Sequence, residues 1–175
     1  MKFTFVFLLF SIFSYSQSIK IGEFNKVKVY DGIRVTIIPS ESDSLLIEGK
    51  NKEHVSIKLK NGSLQIRMDI KKMFSGFNTT VALFNSSPIE EIDANQGSFI
   101  SCQDVLFQPS IILKAQEGAE IETILDVQKV TTKITSGGII NIKGLAVTQN
   151  HKVSAGGVLE ASSLDSEQVV VKVAA

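Results

Sequence analysis

The chain has 175 residues with 18 acidic and 18 basic side chains, so its formal net charge at pH 7 is zero. A neutral chain without a basic stripe has no field that attracts nucleic acid, which excludes nucleic acid as a partner. The single cysteine excludes an internal disulfide.

Residues 1–16 have the pattern of a secretory signal peptide. A positive start at Met1-Lys2 is followed by an almost wholly apolar run, and Ser14-Tyr15-Ser16 provides a small-x-small cleavage site before Gln17. The apolar run is too short to cross a bilayer. We therefore predict an exported protein, located in the periplasm, on the outer cell surface or outside the cell, with no stable membrane span after cleavage. The alternative is an uncleaved anchor.

Residues 17–90 are predicted to form a series of short antiparallel or irregular strands separated by turns. Asn61-Gly62 is a strong hairpin signal, and residues 71–78 form a looser excursion. The predicted strands cover residues 27–29, 35–38, 45–47, 55–59, 64–68 and 79–84.

Residues 91–175 repeat one pattern four times. The repeated glycines are Gly97, Gly118, Gly137 and Gly156, at spacings of 21, 19 and 19 residues. Self-similarity at this period, without apolar residues at helical spacing, predicts a solenoid. The leucine and asparagine ladder of a leucine-rich repeat is missing, and Val, Ile and Thr dominate. The sequence thus predicts an all-β parallel β-helix with rungs of about 19–21 residues in a single domain, residues 17–175.

Alternation within the repeat separates inward from outward positions. Before the glycine, the inward residues are apolar; after it, a small inward residue is followed by a bulky one, as a tight corner opening into a packed core requires. The three inward columns are Ala94, Ala115, Ile134 and Val153; Ser98, Ala119, Gly138 and Gly157; and Ile100, Ile121, Ile140 and Leu159.

Cys102 shares the inward parity of Ile100 and is expected beside Thr123, Ile142 and Ala161 of later rungs. This position predicts a small buried hydrophobe. The alternative is a thiol that pairs with a second molecule.

Evidence for catalysis is sparse. His54 and His151 are far apart in sequence and lack the spacing of a zinc site, and His151 takes an inward position that predicts a hydrogen-bonded core residue. No nucleophile elbow occurs. Glu120, Glu122 and Glu160 share one outer face, where a carbohydrate-active enzyme would need carboxylates, but solvated strand faces also look like this. We predict no enzyme, no metal and no cofactor.

One ordered set of motifs runs through most of the chain. It consists of Phe24, Val27, Val29, Gly32, Val35 and Ile37, then residues 46–49 and 61–66, then the recurring Gly-Gly-Ile/Val windows. This order resembles a known family, the putative auto-transporter adhesin head GIN domain, over residues 19–175. The resemblance implies a right-handed β-helix with a sandwich-like start, found largely in secreted envelope proteins of Gram-negative bacteria. It implies no established enzymatic activity and no site residues.

The chain departs from this family at its end. Members run on through further rungs to a closing glycine-rich segment, whereas this sequence stops at Ala175. We expect either a fragment or a last rung that a partner covers. An open β-helix end is also a template for association, which predicts an end-to-end homo-oligomer.

One outward column has a chemical character. Lys114, Lys133, Lys152 and Lys172 occupy the same repeat position, with Asp93 one rung earlier. Stacked like charges repel each other, so their repetition needs a reason. One hypothesis is binding of an anionic polymer, such as an acidic glycan or lipopolysaccharide. The other is that lysine blocks edge pairing and keeps a flat face soluble.

The sequence as a whole favours a non-catalytic secreted or envelope-associated β-helix that acts as an adhesion or scaffold surface. Its partner would be an anionic glycan, another polymer or an envelope protein. A carbohydrate-active β-helix enzyme and a self-assembling envelope element are the alternatives.

Overall fold

The computed structural model describes residues 18–174, so the predicted signal peptide lies outside the described part of the chain. Strands dominate this part, and three short 3₁₀ turns cover Lys52–His54, Ile70–Lys72 and Gly76–Asn78. No helix within it is long and apolar enough to cross a membrane. The strands are β1 (Ile19–Lys20), β2 (Lys26–Val29), β3 (Arg34–Pro39), β4 (Ser44–Gly49), β5 (Val55–Lys60), β6 (Ser63–Met68), β7 (Thr79–Asn85), β8 (Glu91–Ala94), β9 (Phe99–Gln116), β10 (Glu120–Thr135), β11 (Ile139–Ser154), β12 (Val158–Asp165) and β13 (Gln168–Ala174).

The long strands β9, β10 and β11 each have two arms. In β10 the buried residues alternate up to Val127 and resume at Val130, with the two residues between them exposed. This shift of the alternation turns the strand around the core. The inward side chains of both arms belong to one hydrophobic cluster, so the two arms face each other across it.

The arms stack into two sheets. Sheet 1 contains β1, β4, β7, β3, the first arms of β9, β10 and β11, and β12; sheet 2 contains β5, β6, β2, β8, the second arms and β13. The rungs are parallel: Ile121 pairs with Ile100 and Ile140, and Ile134 with Ala115 and Val153. The predicted parallel β-helix and its inward columns are confirmed, and the handedness of the coil stays a prediction.

The glycine corners have a left-handed backbone at two consecutive residues. Gln96 and Gly97 have φ of 53° and 68°, and the other three corners repeat this pair of values closely. Two such residues in succession make a turn of type I′ character, where glycine avoids the steric cost of positive φ. The N–H of Gly118 donates to the carbonyl of Ser136 at 3.1 Å, which joins each corner to the next.

The amino-terminal strands follow the prediction only in part. The hairpin of β5 and β6 through Asn61-Gly62 is antiparallel, and β4 is antiparallel to β1 and β7, as the sequence predicted. The strands β2, β3, β6, β7 and β8, however, pair in parallel with their rung neighbours and belong to the solenoid. The reason is a further corner, since Asp31 and Gly32 have φ of 62° and 78°. The rung of β2 and β3 lies between the rung of β6 and β7 and the rung of β8 and β9.

His151 is a satisfied core residue, as its inward position predicted. Its Nδ1 lies 2.9 Å from the Thr132 hydroxyl and its Nε2 lies 2.7 Å from the Gln149 amide oxygen. The Gln149 amide nitrogen donates to the Leu164 carbonyl at 3.0 Å. Burial lowers the pKa of His151, so the ring is neutral at pH 7 and bridges two rungs.

Replacing Gly144 with alanine is expected to destabilise the solenoid far more than the same change at Gly118. Both glycines have positive φ, 105° and 72°, so both variants carry backbone strain of about 1–2 kcal/mol. An added Cβ at Gly144 would lie 2.1 Å from the Leu125 carbonyl oxygen, whereas at Gly118 it meets nothing within 4 Å. We expect a further loss of about 2 kcal/mol at Gly144 in denaturant unfolding. Equal losses would contradict the close rung contact.

Cys102 is expected to resist thiol reagents until the protein unfolds. The residue is 6% exposed, and burial raises the pKa of its thiol to about 11, so the reactive thiolate is scarce at neutral pH. Labelling should be slow in buffer and fast in urea. A Cys102→Ser, Ser163→Cys variant, with its thiol on an exposed position, is the control and should react at once. Fast labelling of native Cys102 would mean that the rung is open.

Candidate functional site

The predicted lysine column is present on the outer face of sheet 2. Asp93 pairs with Lys114, Lys114 with Lys133, Lys133 with Lys152, and Lys152 with Lys172. Adjacent strands of a sheet lie about 4.8 Å apart, so the four lysines are neighbours across the strands. The register predicted from the sequence is confirmed.

The amino-terminal end of this column is neutralised by buried carboxylates. Lys114 Nζ lies 2.9 Å from Glu91 Oε1, and Lys28 Nζ lies 3.5 Å from Asp93 Oδ2 and 3.8 Å from Glu91 Oε1. Glu91 and Asp93 are 9% and 6% exposed. Because the desolvated carboxylates need these partners, Lys114 is held by the protein itself and is not available to an external anion.

The remaining three lysines have no such partner. Lys133, Lys152 and Lys172 are exposed, and no carboxylate of residues 18–174 pairs with any of them. We call these three residues the lysine ladder. Two neighbouring charges at strand spacing repel each other by up to about 1 kcal/mol in water. The ladder therefore carries a repulsion that the described chain does not relieve.

Neutral polar side chains flank the ladder. Thr131 and Asn150 are paired on one side, and on the other Ser154 Oγ donates to Thr135 Oγ1 at 3.3 Å. A shallow groove of about 260 Å³ is lined by Asn150, Lys152 and Lys172. Hydroxyl and amide groups beside ammonium groups can bind the uncharged oxygens of a ligand whose anions contact the lysines.

The other candidate residues do not form a reactive centre. Glu122 and Glu160 are in the same outward column, but Asn141 lies between them. Glu120 is in a different column, between Phe99 and Ile139. His54 ends the 3₁₀ turn before β5, and its Nδ1 lies 2.9 Å from Asp69 Oδ2. Within residues 18–174, no three His, Cys, Asp or Glu side chains lie close enough together to hold a metal ion.

Sequence reasoning missed the ion pairs of Glu91. The sequence does place Glu91 on the same face of the sheet as Asp93 and Lys114. It does not show that the Lys114 side chain turns toward Glu91, because that depends on side-chain rotamers. The four lysines therefore looked equivalent although one is internally paired.

Solved structures share this fold. A putative adhesin from Bacteroides fragilis has a TM-score of 0.81 at 17% identity, with 90% of this chain and 74% of that chain covered. A putative adhesin from Parabacteroides distasonis has a TM-score of 0.69 at 18% identity, covering 90% and 76%. A protein from the same species named a putative lipid binding protein has a TM-score of 0.65 at 12% identity, covering 90% and 77%.

No curated protein matches the sequence. The sequence profile of one family does, over residues 23–175, which is nearly the whole part of the chain that the structure describes. The resemblance of the motifs is therefore confirmed: the chain belongs to the family described as putative auto-transporter adhesin, head GIN domain.

Proposed function

We propose that the protein is a non-catalytic adhesion domain that binds an anionic polymer through the lysine ladder on the outside of sheet 2. One observation carries this proposal. Lys114 is paired with Glu91 at 2.9 Å, whereas Lys133, Lys152 and Lys172 are exposed without a carboxylate partner among the described residues. A face kept only for solubility does not need three like charges in register.

A polyanion with regularly spaced charges would relieve the repulsion within the ladder. Suitable ligands are acidic glycans and lipopolysaccharide, whose carboxylate or phosphate groups repeat along a chain. The strands of sheet 2 hold the lysine backbone at fixed intervals, so little backbone conformational entropy is lost on binding. The adhesin-like family is consistent with a location in the envelope or on the cell surface, where such polymers occur.

Replacing Lys133 and Lys152 together with glutamine is expected to weaken binding to polygalacturonate and to purified lipopolysaccharide. Each lysine near an anionic surface contributes about 1 kcal/mol, so the double variant should bind about 30-fold more weakly. Wild-type affinity should also fall steeply as salt rises, because exposed charges are screened over about 10 Å at 0.1 M. Titration calorimetry at two salt concentrations measures both effects.

The matched control is Lys20→Gln with Lys50→Gln, which removes the same charge from exposed positions outside sheet 2. This control should bind almost as tightly as the wild type. Equal loss in both double variants would show that net charge, and not the ladder, governs binding. Binding that is indifferent to salt would leave the lysines as a solubility device.

A second candidate function, self-association, is favoured by the edge at β13. Val171 continues the inward column of His151, which is 3% exposed, yet Val171 is 53% exposed, and Val169 and Val173 are 54% and 77% exposed. No described strand pairs with the outer side of β13. Antiparallel pairing of two copies centred on Val171 would place Lys172 opposite Val170, so the lysines would not meet.

A Val171→Lys variant is expected to remain monomeric where the wild type self-associates, because a charge in the inward column cannot enter a shared core. Gln168→Lys, an exposed change on the outward parity of β13, is the control and should leave association intact. Light scattering coupled to gel filtration across protein concentrations gives the readout. A wild type that stays monomeric at the highest concentration would rule out association through this edge.

A further inference from the structure

A local defect in the strand ladder opens the outer face of sheet 1. In the pairing of β9 with β10, Glu122 is opposite Ser101 but Ile124 is opposite Val105. The strand β9 therefore has two more residues than β10 over this stretch, which is a β-bulge. On its other side, β9 pairs with β3 only as far as Cys102. Gln103 and Asp104 therefore leave both neighbouring strands.

The bulge borders a groove of about 420 Å³ that crosses the first arms of β9, β10 and β11. Its sides carry two amides, a carboxylate, an ammonium group and a hydroxyl, and apolar surface comes from Phe99 and Ile124. The polar groups belong to Gln103, Asn141, Glu122, Lys143 and Ser101.

A second depression continues this groove across the sheet. It has a volume of about 280 Å³, lies on β3, β4 and β7, and includes Gln103 in its lining together with Thr36, Leu46 and Glu48. The two depressions meet at Gln103. The combined groove crosses six strands, a length of about 24 Å at the spacing of paired strands.

The polar groups available in the larger depression are those of its outward side chains. Cys102 and Thr123 also border it, but both have the inward parity of the core and are 6% and 4% exposed. A ligand in the groove would therefore meet the side chains of Gln103, Glu122 and Asn141 and not the Thr123 hydroxyl.

We propose that this groove binds a neutral oligosaccharide chain, laid across the strands of sheet 1. Amides, hydroxyls and a carboxylate match sugar hydroxyls, because each hydroxyl both donates and accepts. Ile124, which is 38% exposed, provides apolar surface for the C–H face of a sugar ring, whereas one face of the Phe99 ring is covered by the Arg34 guanidinium, 4.2 Å from its centroid. This site is on the opposite sheet from the lysine ladder and does not depend on it.

The groove disfavours the two other common polymers. A peptide that adds as a strand needs an unpaired strand edge. Five of the six strands beneath this groove, β7, β3, β9, β10 and β11, have partners on both sides. The sixth, β4, lies at the end of the groove and pairs with β1 at Ser44 and Leu45, so an open edge is confined to that end. A polyanion needs excess positive charge. The larger depression instead carries one acid, Glu122, and one base, Lys143, so its side-chain charges balance.

The proposal is tested with cellohexaose, maltohexaose, xylohexaose and mannohexaose as probes, titrated into the mature chain and followed by amide chemical shifts. We expect at least one probe to shift the backbone amides of Gln103 and Asn141, with an affinity that hardly changes with salt. A Gln103→Ala, Glu122→Ala variant should bind that probe about tenfold more weakly or worse, because hydrogen bonds to the ligand are lost.

The matched control is Asp104→Ala with Glu160→Ala. Asp104 lies in the same bulge and Glu160 in the same outward column, but neither lines the groove. Both double variants change exposed residues, and unchanged amide spectra away from the groove would show that each is folded.

The control should bind as the wild type does, and Lys133→Gln with Lys152→Gln should also leave this binding unaltered. The proposal is wrong if no probe shifts the groove amides, or if the Gln103, Glu122 variant and its control bind equally. Loss of binding in the lysine variant would instead assign the oligosaccharide to sheet 2. If the oligosaccharide does not bind to sheet 1, salt-dependent polyanion binding to the lysine ladder is unaffected, so the two functions are tested separately.

Discussion

The structure depends on a two-residue corner with left-handed backbone, which sets the position of every rung. At Ser136-Gly137 both φ values are positive, and the N–H of Gly137 donates to the carbonyl of Ala155 in the next corner at 3.1 Å. A slip of one residue at a corner would move each inward side chain to the outside. The corner hydrogen bonds therefore fix which residues enter the core and which share an outward column. Both candidate binding surfaces follow from this register.

The same register makes the two outer faces chemically different. On sheet 2, the second arms of β9, β10 and β11 pair without interruption, so like side chains stack and positive charge accumulates in one column. On sheet 1, the bulge at Gln103 and Asp104 interrupts the ladder, and the side chains around it are mixed in charge and shape. Regular pairing favours recognition of a repeating charge. An interrupted ladder favours a groove with several kinds of polar group.

Much of the repeat region could be predicted from sequence, because residues that stack on neighbouring rungs of a solenoid recur in the sequence at the spacing of the repeat. The columns of Ile121 and Lys133, and the inward place of His151, followed from alternation and glycine spacing alone. The bulge also had a signal, since the spacing from Gly97 to Gly118 is 21 residues and the later spacings are 19. That irregularity was visible, but its location within the rung was not.

The amino-terminal region was harder to predict because its pairing is not periodic. Local alternation identified the strands there, yet it does not specify whether β2 lies beside β5, β6 or β8. Asp31-Gly32 has the same conformation as the later corners, but a single Asp-Gly also suits a simple hairpin. The pairing of Lys114 with Glu91 was missed for a related reason: its distance depends on side-chain conformation, which a residue pattern does not contain.

The position of the β2 and β3 rung has a consequence for how the chain folds. This rung pairs with β6 and β7 on one side and with β8 and β9 on the other, so residues 26–39 gain both neighbours only when the chain up to Cys102 is present. We therefore expect the first three rungs to form together, with closure of their long loops as the slow step. Each later rung pairs with the preceding one, so we expect the later rungs to add in sequence toward β13. On this view, folding has a direction that the order of the strands in the chain imposes.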